Sequence, residues 1–119
     1  MRSHRLGKDG EAFAAEFLVK EGYRILATNY RAPMGEIDIV AKDGEAVVFI
    51  EVKTRQDEGW DAFEAVDRRK QRTMVLVART FLIQFFGTED IAARFDVLAV
   101  RPREGRSFEG ELLKDAFGI

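Results

Sequence analysis

The chain contains no cysteine and a single histidine, His4. Without thiols there is no disulfide, no thiol nucleophile and no cysteine zinc site. One histidine excludes Ser-His-Asp triads and multi-histidine metal centres. Prolines number only two, and there is neither a low-complexity tract nor an internal repeat. No apolar run exceeds five residues, against the ~20 of a membrane-spanning helix. Met1-Arg-Ser-His4 does not lead into an apolar stretch, so no secretory signal is read, no membrane partner is expected and the expected location is cytoplasmic. Net charge is scarce too: 19 Lys+Arg stand against 21 Asp+Glu, leaving −2. That excludes a uniformly basic nucleic-acid binder. Chemistry is left to carboxylates, lysine, arginine and hydroxyls.

What is present fits one domain over residues 1–119, with 1–7 as a flexible tail; chains of ~100–150 residues bury enough surface to fold without staples. A helix is predicted over residues 8–21, where Ala14, Ala15, Phe17 and Leu18 make a stripe and Gly22 stands at the C-cap position. A short strand, 23–27, precedes a loop over 31–35. Glu36-Ile-Asp-Ile-Val-Ala41 alternates at period two, Asp43-Gly44 reads as a tight turn, and Ala46–Lys53 is a β-branched, apolar strand. A long helix is predicted over 68–86, with Asp67 as N-cap and Gln71, Met74, Val75, Ala78, Phe81, Leu82 and Phe85 as its inward stripe. A strand follows at 94–100, and residues 107–119 read as a short strand or turn. This order predicts an α/β fold, a three-layer α/β/α sandwich around a central mixed sheet.

The hairpin carries the chemistry. A turn centred between Asp43 and Gly44 pairs Ala41 with Ala46 and sets Asp38 opposite Phe49. Glu36, Asp38, Val40, Val47, Phe49, Glu51 and Lys53 then share one face, with Ile37, Ile39, Val48, Ile50 and Val52 on the other. Asp38 becomes a diagonal neighbour of Glu51. Two carboxylates together in apolar strands repel and lose hydration. A divalent cation removes both costs, and two carboxylates with a backbone carbonyl and waters suit Mg²⁺. Lys53, two residues past Glu51, is placed to meet a phosphate oxygen or orient water. Glu11, leading the first helix face, can add an oxygen directly or through water. Singly, each has a plain structural reading: a strand-edge acid, an ion pair, a solvated strand end, a helix-start acid. The aligned set is what points to a site.

Arg68, Arg69, Lys70 and Arg72 crowd the start of the long helix, where the macrodipole disfavours cations. Phosphate would relieve that conflict; a solubilising helix face is the plain alternative. Lys70, beside Gln71 at the edge of the stripe, is the member expected to point at a site. Trp60 and Phe63 can stack on bases or plug the core. By segment, residues 36–64 carry −6 and 65–79 carry +4, so the near-zero total averages two opposed regions.

Asp38 with Glu51-Val-Lys53 resembles the signature of the PD-(D/E)XK nuclease superfamily, whose core is restriction-endonuclease-like. More closely, the chain is similar to the bacterial YraN-like family of small proteins with a Holliday-junction-resolvase-like fold. The resemblance runs through Gly7–Ala12, Gly35–Val40, Val48–Arg55, Ala65-Val-Asp67 with Lys70, Arg94–Val97 and Ala116-Phe117. It implies Asp38 and Glu51 as metal ligands, the Val52 carbonyl as a third, Lys53 as catalytic lysine, Glu11 as the helix acid and Lys70 as the lysine facing substrate phosphate. Arg55, Arg68, Arg69 and Arg72 are further expected DNA contacts. Ile37 stands where the superfamily's name has proline. Gln71 is followed four residues on by Val75, not by the tyrosine of some related exonucleases.

The expected function is a Mg²⁺-dependent endonuclease, with Mn²⁺ substituting, that hydrolyses phosphodiester bonds of branched or single-stranded DNA in recombination or repair. The alternatives are an inactive nucleic-acid-binding module on the same fold and a scaffold with a structural ion-pair network. Symmetric cutting of a four-way junction would need a homodimer; Phe81, Phe85 and Phe86 can serve it or pack the core.

Overall fold

The computed structural model describes residues 7–54 and 66–118. Along the chain run α1 (Gly7–Lys20), β1 (Arg24–Ala32), β2 (Gly35–Asp43), β3 (Ala46–Thr54), α2 (Arg68–Phe86), β4 (Ala93–Pro102) and β5 (Phe108–Phe117). The strands form one five-stranded sheet in the order β1-β2-β3-β4-β5. β3 and β4 are parallel and the other pairs antiparallel. A parallel neighbour cannot be reached through a tight turn, which is why a long crossover containing α2 separates β3 from β4.

Each face of the sheet buries one helix. Ala14 and Leu18 of α1 pack with Ile39, Ala41, Val48, Ile50, Leu98 and Val100. Met74, Val77, Ala78, Phe81 and Leu82 of α2 pack with Ile37, Val40, Val47, Phe49, Phe95 and Val97. The alternation of strand side chains explains the split: odd positions of β3 meet α2 and even positions meet α1. The fold is therefore the expected three-layer α/β sandwich with a mixed sheet, compatible with a restriction-endonuclease-like core. No helix among the described residues is long and apolar enough to cross a membrane.

Helix ends follow local chemistry. Asp67 accepts a hydrogen bond from the Lys70 amide at 2.8 Å, and Gly87 closes α2 at φ 77. Gly22, at φ 98, ends α1, with its amide bonded to the Val19 carbonyl at 2.9 Å. Within α2, Val77 is buried although the predicted stripe omits it, and Phe85 is exposed although the stripe includes it. Phe85 stacks on Phe81 and meets the Tyr30 ring of β1 edge-on, with its other side in solvent.

Three strand expectations change. The hairpin loop is Gly44-Glu45, with Asp43 paired to Ala46. Gly44 takes φ 60 and Glu45 stays out of the left-handed region, the pattern of a turn that wants glycine at its first central position. The register thus moves by two, which keeps the faces but sets Asp38 one step beyond the Ile39–Ile50 pair, level with Glu51 instead of Phe49. Alternation also breaks at Asp38: Ile37 joins the α2-side core while Ile39 joins the α1-side core. Asn29, at φ 52 on the neighbouring strand, marks the same irregularity. Finally β1 extends to Ala32, and residues 108–117 form a full edge strand.

Candidate functional site

The hairpin brings Asp38 and Glu51 together where the β2–β3 ladder opens. Asp38 Oδ2 accepts the Val52 amide at 2.8 Å, so the aspartate is tied to the strand that carries the glutamate. Glu51 is 1% exposed and interrupts an apolar run because its odd position points it under α2. Lys53 Nζ and Lys70 Nζ both lie 3.5 Å from Glu51 Oε2. Lys53 comes from the same strand face, two residues on. Lys70 comes from the first turn of α2, whose start is set by the Asp67 cap.

Burial, and then the negative charge of Asp38, push the Glu51 carboxyl up to about 7, and the two lysines only partly oppose this. Near neutral pH the Glu51 carboxyl is therefore divided between its protonated and ionised forms. A doubly charged cation would compete for that place with a larger field. The donor chemistry fits a hard divalent ion: two carboxylates, with backbone and solvent oxygens to complete the shell. No three acidic or histidine side chains converge among the described residues, so such an ion would keep a solvated portion.

The other expected residues divide. Glu11 is exposed in the second turn of α1, the helix that covers the opposite face, and the structure does not bring it to Glu51. Arg68, Arg69 and Arg72 are exposed on α2, while Lys70 is half-buried; the three arginines lie on the outer side and only the lysine turns to the site. Val52 enters the site through its amide. Arg55, Trp60 and Phe63 lie outside the described residues.

A second polar cluster escaped sequence reasoning. Asp96, 0% exposed, interrupts an apolar strand much as Glu51 does, but on the α1 face. Tyr23 donates to Asp96 Oδ2 at 2.6 Å, Arg94 Nε donates to Oδ1 at 3.1 Å, and the Asp115 amide donates to Oδ1 at 2.9 Å. Arg94 also donates to Tyr23 Oη at 2.7 Å and to Asp43 Oδ2 at 2.8 Å. Burial, then the hydrogen bond to Asp96, hold the Tyr23 hydroxyl above its usual range. Asp96 is satisfied by short bonds from three sides and works as a brace between strands. Glu51 has two lysines at longer range and an acid beside it. The contrast separates a braced acid from one held against a neighbouring charge. The signal for Asp96 was there in the sequence: a lone acid between Phe95 and Val97.

A model of the Uncharacterised protein family UPF0102 matches residues 10–100. A UPF0102 protein of Symbiobacterium thermophilum is 43% identical over 116 residues, covering 97% of this chain and 98% of that protein. One of Moorella thermoacetica is 45% identical over 122 residues, covering 98% of each. One of Pseudomonas syringae pv. syringae is 39% identical over 112 residues, covering 93% of this chain and 91% of its own. The family match takes in Asp38, Glu51, Lys53 and Lys70, the relatives run nearly end to end, and the chain belongs to the UPF0102 family, the YraN-like group its hairpin motifs resemble.

Proposed function

We propose that the protein is a Mg²⁺-dependent endonuclease that hydrolyses DNA phosphodiester bonds, with branched or single-stranded DNA as substrate and recombination or repair as its setting. One observation carries this: a buried glutamate, raised to about 7 by burial and by a neighbouring aspartate, with two lysine ammoniums on one of its oxygens. A purely structural acid is better served by the arrangement around Asp96. Two acids held in mutual repulsion are a standing cost that a divalent ion removes.

In this reading Asp38 and Glu51 hold Mg²⁺, with the Val52 carbonyl as a further donor. Bound there, the ion would polarise a phosphodiester and lower the pKa of water. The chain's own groups do the rest. The Val52 amide fixes the Asp38 carboxylate. Lys53, 18% exposed at its side chain, can leave Glu51 for a phosphate oxygen and carry charge that develops there. Lys70, 32% exposed at its side chain, can bind the adjacent phosphate from the helix side. With a cation against Glu51, both ammoniums would be free to meet phosphate oxygens, so metal and phosphate binding would reinforce one another.

The test is a divalent-ion screen on labelled single-stranded, duplex, flap and four-way DNA, with Asp38→Ala and Glu51→Ala proteins alongside. Cleavage in Mg²⁺ or Mn²⁺ that falls at least a hundredfold in both variants is expected. Cleavage unchanged by Asp38→Ala would falsify the assignment. DNA binding in EDTA with no turnover under any divalent ion would instead make the protein a binding module.

A further inference from the structure

The face that holds Glu51 continues onto β4 and β5. β3 and β4 are the parallel pair of the sheet, and ligands of α/β sheets gather outside the carboxyl ends of such strands. Lys53 pairs with Ala99 on β4. Arg101 stands two residues beyond Ala99, on the side from which Phe95 and Val97 meet α2, because side chains alternate along a strand. It therefore shares the face of Glu51 and Lys53. By strand geometry its Cα lies roughly 8 Å from that of Lys53, within reach of a common strand of nucleic acid for two side chains so long.

Arg101 is half-buried and joins no ion pair among the described residues. Directly opposite it on β5 is Glu109, the natural cross-strand partner of an arginine. Glu109 is taken by another cation instead, with its Oε1 3.4 Å from Arg103 Nη1. A half-buried guanidinium left without an acid lacks compensation for its lost hydration. Phosphate supplies that compensation, since the planar fork of arginine matches two phosphate oxygens.

The neighbouring charges give the path a boundary. Lys70, Lys53 and Arg101 succeed one another from the start of α2 to the carboxyl end of β4. On the β5 side a hollow over Ala99 is bordered by Glu109 and Glu111. Glu111 is exposed and has no cation partner among the described residues. A polyanionic strand is thus drawn along the seam of β3 and β4 and repelled at the β5 edge.

We propose that Arg101 binds a phosphate neighbouring the scissile one, where the substrate strand leaves the site over the carboxyl end of β4. The inference rests on the nuclease reading and narrows its substrate to a polynucleotide strand that continues past the cut on that side. A strand that ends at the scissile phosphate there forgoes the contact.

The test compares wild-type and Arg101→Ala proteins on a labelled single-stranded oligonucleotide in Mn²⁺. Arg101→Ala should raise KM about tenfold, the scale of a hydrogen bond to a charged group, with kcat within about twofold and an unchanged circular dichroism spectrum. Arg101→Lys, which keeps the charge, should recover part of the loss. Oligonucleotides carrying a single neutral methylphosphonate give a readout that a merely structural arginine would not move. At one position flanking the cut the wild type should lose a similar factor, and Arg101→Ala should lose nothing more there. A KM untouched by Arg101→Ala, or equal losses in both proteins at every methylphosphonate position, overturns the proposal. If the wild type cuts no DNA under any divalent ion, the nuclease reading fails, and fluorescence anisotropy of the same oligonucleotides in EDTA still decides the role of Arg101. Kd should then rise about tenfold in Arg101→Ala and lose its sensitivity to that one methylphosphonate. An unchanged Kd, or no binding by the wild type, overturns the proposal.

Discussion

Glu51 and Asp96 are both acids set in apolar strands, and the difference between them lies in what surrounds each carboxylate. Asp96 receives donors from a tyrosine, an arginine and a backbone amide. Glu51 receives two ammoniums at 3.5 Å and the repulsion of Asp38. The consequence for Glu51 has a sign. Its folded pKa of about 7 stands above the ordinary glutamate value of 4.5, so the folded chain holds the proton more tightly than the unfolded one. The associated stability is full below the unfolded pKa and is lost as pH rises through about 7. Urea unfolding of the metal-free protein at pH 5 and pH 8.5 should therefore show lower stability at the higher pH. Glu51→Gln should flatten that dependence and be at least as stable as wild type at pH 8.5. A wild-type profile that rises across this interval would contradict the assignment. The candidate acids were legible in the sequence because each breaks an apolar run. Which acid is braced and which is exposed to repulsion was not, because Tyr23 lies 73 positions from Asp96 and no local pattern links them.

At the scale of elements, the long helix could be read to its ends, since cap, stripe and stop all act within a few residues. The hairpin could be read to its faces but not to its register. Face depends on parity, and a shift of two preserves it; register depends on which residue of Asp43-Gly44-Glu45 opens the turn. The broken alternation at Ile37 and Asp38 was not visible, because it depends on β1 running alongside with Asn29 in the left-handed region. Where β2 begins, Gly35 lies so close to α2 that an added Cβ would sit 2.6 Å from Thr73 Cγ2. Thr73 is β-branched, so its Cγ2 can move only by a change of χ1 rotamer or a shift of the helix. Gly35→Ala is expected to destabilise by about 1–3 kcal/mol, read as a lower urea midpoint at constant m. Ala at Gly44, where open space surrounds the position, meets no such clash, and its cost is limited to the positive φ.

For the molecule as a whole, the net charge of −2 conceals a separation of charge across α2. The site side holds Asp38 and Glu51 with two lysines; the outer side holds Arg68, Arg69 and Arg72, which meet no acid among the described residues, and Arg79, which pairs with Glu89. The expected DNA contact is therefore local, made by Lys53 and Lys70 at the site, and not by a broad basic surface. Its salt dependence should be shallow, with log K falling against log salt at a slope of about −1.4 to −1.8 for two phosphate contacts, or about −2.1 to −2.7 with Arg101 as a third. Lys70→Ala should reduce that slope by about 1, as followed by fluorescence anisotropy in the absence of cleavage. A slope near −10, or one untouched by Lys70→Ala, would place the contact elsewhere. The layered architecture itself was legible from the order of elements, because a strand followed by a long amphipathic helix and another strand has few arrangements open to it.

The crossover between β3 and β4 has a further meaning for the order of folding. β1, β2 and β3 are joined by short turns, and close pairings form ahead of those that close long loops. Asp38 and Glu51 therefore meet within the early meander. Lys70 arrives only when α2 docks, and β4 and β5 lie beyond that crossover in the chain. The two acids come together before the helix can supply its countercharge, so the nascent hairpin passes through its least favourable electrostatic moment early. A proton or a divalent ion present at that moment would speed its closure.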